Sequence, residues 1–124
     1  MRLNQNFLNE FSNYDFSKIK EKKISLVGSI TKAKDYFIKI ESILQITHRK
    51  VVSICSVDGL LNKPKFSLEE WDILQEIALR KLEDQEAILV LDVDNYIGIQ
   101  TREEIEYFEK ELKRPIYYLS ELKH

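Results

Sequence analysis

From Lys23 onward, short apolar runs alternate with longer segments in which apolar residues recur at helical spacing. Continuous apolar runs of roughly four to eight residues are typical of buried parallel strands. Strands that alternate with helices favour right-handed βαβ units and a parallel sheet covered on both faces. We therefore predict an α/β fold, a small doubly wound parallel sheet, and we take 2-1-3-4 as its strand order. The predicted strands are Ile24–Gly28, Val51–Cys55, Ile88–Leu91 and Pro115–Leu119.

Signals of helix initiation follow three of these strands. Thr31 can cap the helix after the first strand. Ser67 and Glu70 form a capping-box pattern, in which each side chain accepts a hydrogen bond from the other residue's backbone N–H. Thr101 and Glu104 repeat that pattern after the third strand. The sequence therefore predicts helices that begin close to these positions.

The first 22 residues precede the alternating pattern and form a separate segment. Their apolar residues fit helical spacing at Leu3, Phe7, Leu8 and Phe11. We interpret residues 1–22 as an N-terminal helical arm that packs on the body of the protein or on a partner subunit. Residues 23–124 then form one α/β domain, which is long enough to bury a core of its own.

The charge balance and the apolar content limit the partners of this protein. Lys and Arg number 19 against 21 Asp and Glu, and no basic block is present to follow a phosphate backbone. We therefore expect no nucleic-acid partner. No apolar run approaches the length of a membrane span, and the N-terminus lacks the apolar stretch of a signal peptide. We expect no membrane association and a cytoplasmic location.

The cysteine and histidine content excludes two further classes. Cys55 is the single cysteine, so an internal disulfide is impossible and a reducing compartment fits. His48 and His124 lie far apart in the sequence, so we expect no zinc site built from nitrogen and sulfur ligands. We predict no metal and no cofactor.

The predicted strand order indicates where a ligand would bind. In open parallel sheets, ligands bind at the carboxyl ends of the strands where the direction of winding reverses. Strand order 2-1-3-4 places that point between the first and third strands, so Gly28–Ile30 and Asp92–Gly98 converge there. Gly28 and Ser29 could present backbone N–H groups to a phosphate.

Glu104 is the first candidate for catalysis. A carboxylate in the first turn of the helix behind the third strand could act as a nucleophile or general base. The alternative is the capping box with Thr101, in which the carboxylate only bonds the backbone.

Four residues between the third strand and this helix each have a functional and a structural interpretation. Asp92 and Asp94 could bind sugar hydroxyls, as acidic residues do in nucleotide-binding folds, or could bond their own backbone in a turn. Tyr96 could stack on a base or only cover the loop. Gly98 could let a ligand approach the backbone or only supply a positive φ.

These motifs resemble the nucleoside 2-deoxyribosyltransferase superfamily, which includes the deoxynucleoside-monophosphate N-glycosidases, over roughly residues 23–120. Lys23–Ile30 looks like the family's opening strand, which commonly ends in Gly-Ser-Ile. Pro115–Leu119 is similar to its last strand. The family's second motif is matched by Ala87–Asp92, Tyr96, Ile97, Gly98, Thr101 and Glu104–Tyr107.

The resemblance implies a flavodoxin-like or Rossmann-like fold, usually oligomeric, that binds a nucleoside or nucleotide. It implies that Glu104 attacks the anomeric carbon, that Ser29 lies near the phosphate or sugar, and that Asp92 is the acidic end of the third strand. We therefore expect a homo-oligomeric enzyme that acts on a nucleoside or nucleotide N-glycosidic bond. The expected catalytic residues are Glu104 and Asp92, and the expected ligand-binding residues are Gly28, Ser29, Ile30, Asp94, Tyr96, Gly98 and Thr101.

Two departures from the family pattern keep a second function open. Ser25 stands where many members carry a tyrosine that orients the nucleophile, and Glu106 stands where they carry a glycine. These departures favour a nucleotide-binding or scaffolding module without catalysis. A phospho-receiver domain shares the fold, but it needs an acidic pair after its first strand, and Gly28–Ile30 offers none.

Overall fold

A computed structural model of the protein describes residues 5–54 and 67–123. Four strands form one sheet in which every neighbouring pair is parallel, in the order β2-β1-β3-β4. The predicted α/β doubly wound fold and its strand order 2-1-3-4 are therefore confirmed. The strands are β1 (Lys23–Gly28), β2 (Val51–Ile54), β3 (Ala87–Leu91) and β4 (Ile116–Tyr118). Cys55, the predicted end of β2, lies outside the described residues.

Helices connect the strands and cover the sheet. The described α-helices are α1 (Gln5–Glu10), α2 (Ile30–Ile46), α3 (Leu68–Leu82) and α4 (Ile99–Tyr107). A π-helical segment, Phe108–Leu112, continues α4 toward β4. Short 3₁₀ turns occupy Phe16–Lys18, Val93–Asn95 and Leu119–Leu122. In the described part of the chain, no helix is both long and apolar enough to cross a membrane.

One face of the sheet, which we call the first face, packs against α2. Leu26 of β1 and Leu89 of β3 lie in one buried cluster with Phe37 and Leu44 of α2. These residues are almost completely excluded from water, which is the dominant favourable contribution to folding.

The opposite, second face packs against α3 and α4. Val27 and Val90 lie there in a cluster with Leu82 of α3. The same cluster contains Ile105 of α4 and Phe108, the first residue of the π-helical segment. Both central strands are therefore covered on both sides. This explains why β3 is buried at every position and why its sequence is continuously apolar.

The N-terminal segment packs on the first face rather than extending away from it. Phe11, Phe16 and Ile19 belong to the same buried cluster as α2. Tyr14 forms an isolated antiparallel bridge with Lys123, and the Asp15 N–H donates to the Leu122 carbonyl at 2.8 Å. The first and last described segments of the chain are thus held side by side.

The observed helix starts confirm one predicted cap and correct another. Ser67 and Glu70 form the predicted capping box at the start of α3. The first long helix is capped by Ser29, whose hydroxyl accepts from the Lys32 N–H at 3.3 Å, so the prediction of Thr31 as the cap was wrong. Ser29 takes this role because the strand ends at Gly28 and the helix begins at once.

Candidate functional site

The loops after β1 and β3 leave the sheet next to each other. Gly28 is paired with Leu91 in the parallel register, so Ser29 and Asp92 follow adjacent positions at the carboxyl edge of the sheet. Helix α2 begins directly after Ser29. The structure therefore places the two loops at one edge, at the point where the winding direction reverses.

Gly28 lies at a close approach between the central strands. A Cβ atom built on Gly28 would lie 3.1 Å from both the Cβ and the carbonyl oxygen of Leu91, and 3.5 Å from the Phe37 ring. The absence of a side chain allows β1 and β3 to meet closely at this position. This structural role explains the glycine without a ligand.

The polar groups of the first loop are partly engaged. The Ser29 hydroxyl caps α2 by accepting a hydrogen bond from the Lys32 N–H. Ile30 is the first residue of α2, and its side chain lies outside the description. Because the hydroxyl only accepts in this cap, its O–H could still donate to the predicted phosphate, beside the main-chain N–H groups.

Helix α4 begins earlier than the sequence pattern predicts. Its N-cap is Gly98, and the Arg102 N–H donates to the Gly98 carbonyl at 3.0 Å. Thr101 is consequently the third residue of the helix and Glu104 the sixth. The predicted capping box between Thr101 and Glu104, and the placement of Glu104 in the first turn, were both wrong.

Glu104 lies instead on the buried side of α4. It shares this side with Thr101, three residues before it, and Phe108, four residues after it, and both are buried. Only 3% of Glu104 is exposed, and its Oε2 atom has no hydrogen-bond partner. Buried carboxyl oxygens are normally paired, so this atom is an exception that needs an explanation.

The environment of Glu104 changes its acidity. Burial, followed by the neighbouring charge of Glu103, raises the pKa of the Glu104 carboxyl from 4.5 to about 7. Burial acts in this direction because an ionised carboxylate loses its hydration in an apolar environment. At neutral pH this side chain can therefore both lose and accept a proton, a property that is common among catalytic carboxyls.

Asp92 is buried and already bonded at the end of β3. One carboxylate oxygen accepts from the Ser120 N–H at 2.9 Å, and the other accepts from the Ser120 hydroxyl at 2.6 Å. Asp92 thus ties the end of β3 to the segment that follows β4. Each of its oxygens keeps a further lone pair for a ligand hydroxyl.

The remaining loop residues are more exposed. Asp94 and Asn95 both adopt positive φ, at 57° and 60°, a conformation that Asp and Asn tolerate better than most residues. Gly98 has a φ of −74°, so the interpretation that it supplies a positive φ was wrong. Tyr96 is about half exposed, and its ring lies next to Gly98.

A cavity of about 270 Å³ opens beside Asp92. Tyr14, Tyr36 and Leu119 form part of its lining and also pack with the first-face cluster. Glu104 does not line this cavity, because α4 packs on the second face. The other lining residues used below are Asp94, Asn95, Ser120 and Lys123.

The structure thus separates the predicted site residues into two groups. Asp92 and Asp94 line the cavity on the first face, whereas Glu104 and Thr101 are buried on α4, which packs on the second face. Sequence reasoning missed the contributions of Tyr14, Tyr36, Ser120 and Lys123 to the cavity. They come from the arm, from α2 and from the last residues, and no local pattern relates them to the loop after β3.

Comparisons with protein-family models, with curated proteins and with solved structures found no match to this chain. Within residues 5–54 and 67–123, no group of three or more His, Cys, Asp or Glu side chains could hold a metal ion.

Proposed function

We propose that this protein is an enzyme that cleaves or transfers the N-glycosidic bond of a nucleoside or nucleotide, with Glu104 as its nucleophile. The observation that carries the proposal is the Glu104 carboxyl, which is buried and has an oxygen without a partner. Leaving such a group unpaired costs stability, and it is retained most readily where it serves a reaction. The sequence resemblance assigns the nucleophile to the same residue.

In the proposed reaction, a carboxylate oxygen of Glu104 forms a bond to the anomeric carbon. The bond between that carbon and the base nitrogen breaks, and the base leaves with the electron pair and takes up a proton. The glycosyl ester on Glu104 is then attacked by water, which yields the free sugar, or by a second base, which yields a new nucleoside. The ester bond breaks and the carboxylate is restored.

The surrounding groups have supporting roles in this proposal. The backbone N–H groups after Gly28 would meet a phosphate at the start of α2, where the helix dipole also favours an anion. Asp92 is given no part in this reaction, because it lines the cavity on the first face, whereas Glu104 is buried on α4, which packs on the second face. We also propose a homo-oligomeric enzyme located in the cytoplasm.

The test is to incubate the protein with a panel of deoxynucleosides and their monophosphates and to measure the released free base by chromatography. We expect release by the native protein, and a loss of about 10²-fold or more for Glu104→Gln, as for other nucleophilic carboxylates. Glu106→Gln is the matched control, because Glu106 is an exposed carboxylate on the same helix. The nucleophile must be ionised, so kcat/KM should rise with pH up to about 7 and then level off. Failure of every substrate would contradict the proposal.

A second candidate is a nucleotide-binding module without catalysis. It is favoured by the burial of Glu104, which lies outside the cavity that Asp92 and Asp94 line. This candidate predicts thermal stabilisation by a nucleoside or nucleotide without any release of base. A thermal-shift screen run beside the activity panel separates the two functions.

A further inference from the structure

The cavity beside Asp92 is built from segments that are distant in the sequence. Tyr14 comes from the N-terminal segment, Tyr36 from α2, Asp94 from the loop after β3, and Lys123 from the end of the described chain. The main-chain bridge between Tyr14 and Lys123 holds two of these segments together. The lining residues Tyr14 and Lys123 are therefore held in place relative to each other by main-chain contacts.

The charged side chains that line this cavity differ in whether another group of the protein compensates them. Asp92 is compensated by two donors of Ser120. Asp94 and Lys123 also line the cavity and carry opposite charges, yet in the described part of the chain neither of them forms an ion pair. One cavity thus presents a carboxylate and an ammonium that do not contact each other.

The walls and the size of the cavity indicate a small polar ligand. Tyr14, Tyr36 and Asn95, all with polar groups in their side chains, are among the residues that line it. The Lys123 ammonium lies 5.6 Å from the centre of the Tyr14 ring, which keeps it over one wall. A volume of about 270 Å³ is just below the range of roughly 300–1,000 Å³ that is typical of drug-sized ligands.

We propose that this cavity binds a free α-amino acid. The ammonium of the ligand would pair with Asp94, and its carboxylate would pair with Lys123. An α-amino acid carries both charges in a small molecule, so it compensates both protein groups at once, whereas an amine or a carboxylic acid would compensate only one. Hydrogen bonds to charged groups are also the stronger ones in proteins.

The experiment is isothermal titration calorimetry of the full chain with each of the twenty common L-amino acids. We expect at least one to bind with a Kd of about 1 mM or tighter. For that amino acid, the α-amide lacks the negative charge and the N-acetyl derivative lacks the positive charge. Each derivative should bind at least about tenfold more weakly, since each loses one charge-assisted hydrogen bond.

Substitutions assign the binding to this cavity. Asp94→Asn and Lys123→Gln should each weaken binding by about tenfold or more. Asp84→Asn and Lys110→Gln are matched controls, because both residues are exposed and lie outside the cavity. They should leave the Kd unchanged.

Three results would overturn this proposal. The first is no binding of any of the twenty amino acids at about 10 mM, well above the expected Kd. The other two are equal binding of the amide and N-acetyl derivatives, each of which lacks one of the two charges, and equal binding by the two cavity variants. The proposal does not depend on the proposed enzyme activity. Glu104→Gln should retain the amino-acid binding while it loses base release, so the failure of one proposal is distinguishable from the failure of the other.

Discussion

At the scale of single residues, Glu104 has an unusual combination of properties. It lies on the buried side of α4 with an unpaired oxygen, although the charged side of the same helix could have accepted a carboxylate at no cost. In the unfolded chain this carboxyl titrates near 4.5, whereas in the folded protein burial raises its pKa to about 7. The folded state therefore holds the proton more tightly than the unfolded state.

This difference predicts a pH-dependent contribution to stability. Below about pH 4.5 the carboxyl is protonated in both the folded and the unfolded state, so its burial does not lower the stability of the protein. As the pH rises from there through about 7, the carboxyl ionises more readily in the unfolded state, and stability is lost. The loss amounts to about 3 kcal/mol once both states are ionised. Glu104→Gln should therefore raise the free energy of unfolding at pH 8 by about 2–3 kcal/mol and change it little at pH 4.5.

Urea unfolding at the two pH values measures this effect, with Glu106→Gln as the exposed control on the same helix. An equal change in the free energy of unfolding for the Glu104 and Glu106 variants at pH 8 would contradict the prediction. It would show that the folded protein pays no penalty for an ionised Glu104.

Gly28 makes a second prediction at this scale. Replacing a glycine in a strand by alanine usually stabilises a protein by restricting the unfolded chain. At Gly28 the new methyl group would press on the Cβ and carbonyl oxygen of Leu91 in a central strand that cannot move away freely. We expect Gly28→Ala to destabilise the protein by about 1–3 kcal/mol in chemical denaturation. A gain in stability would contradict the close approach of β1 and β3.

At the scale of elements, the starts of α3 and α4 differ. Ser67 caps α3 in a reciprocal capping box with Glu70, whereas Gly98 begins α4 without any side-chain hydrogen bond. A Cβ at Gly98 would meet only ordinary contacts with Tyr96, so a side chain fits there. A substitution at Ser67 can therefore remove a helix cap, whereas a substitution at Gly98 can add one.

We expect Ser67→Ala to lower the free energy of unfolding by about 1 kcal/mol, because the Glu70 N–H loses its acceptor. Gly98→Ser should raise it by a few tenths of a kcal/mol, because the new hydroxyl can cap α4. Thermal unfolding followed by circular dichroism measures both changes. If the two variants shifted the Tm in the same direction, the assignment of one of these caps would be incorrect.

At the scale of the whole molecule, the N-terminal segment is part of the folded body. Phe16 is 4% exposed and stacks with Tyr14 at a centroid distance of 6.1 Å. Its ring also meets the edge of His48, which follows α2. The segment before β1 therefore completes the core on the first face.

This arrangement predicts that shortening a buried side chain in the N-terminal segment destabilises the entire protein. Phe16→Ala should cost about 3–5 kcal/mol, as expected for the loss of a buried phenylalanine. The unfolding should remain a single transition, because the arm and the sheet share one core. Differential scanning calorimetry, with the exposed Ser12→Ala as control, tests this. Two separate transitions would mean that the arm folds independently of the sheet.

The local pattern of residues was sufficient for the elements and their order. The continuous apolar run of β3 predicts a strand covered on both faces, and the spacing in the connecting segments predicts helices, because these periodicities follow from local backbone geometry. Ser67 is a further example, since the box with Glu70 closes within four residues.

The environment of each candidate residue was decided only by the tertiary structure. Glu104 belongs to a possible capping box by its spacing, yet the cap of α4 is Gly98, and Glu104 is the sixth residue of the helix and is buried. Asp92 is bonded by Ser120, 28 residues away, and the cavity beside it joins the arm to the end of the described chain. Burial, pKa and cavities depend on contacts between segments that are distant in sequence. Local periodicity therefore determines the elements, while packing determines what their side chains can do.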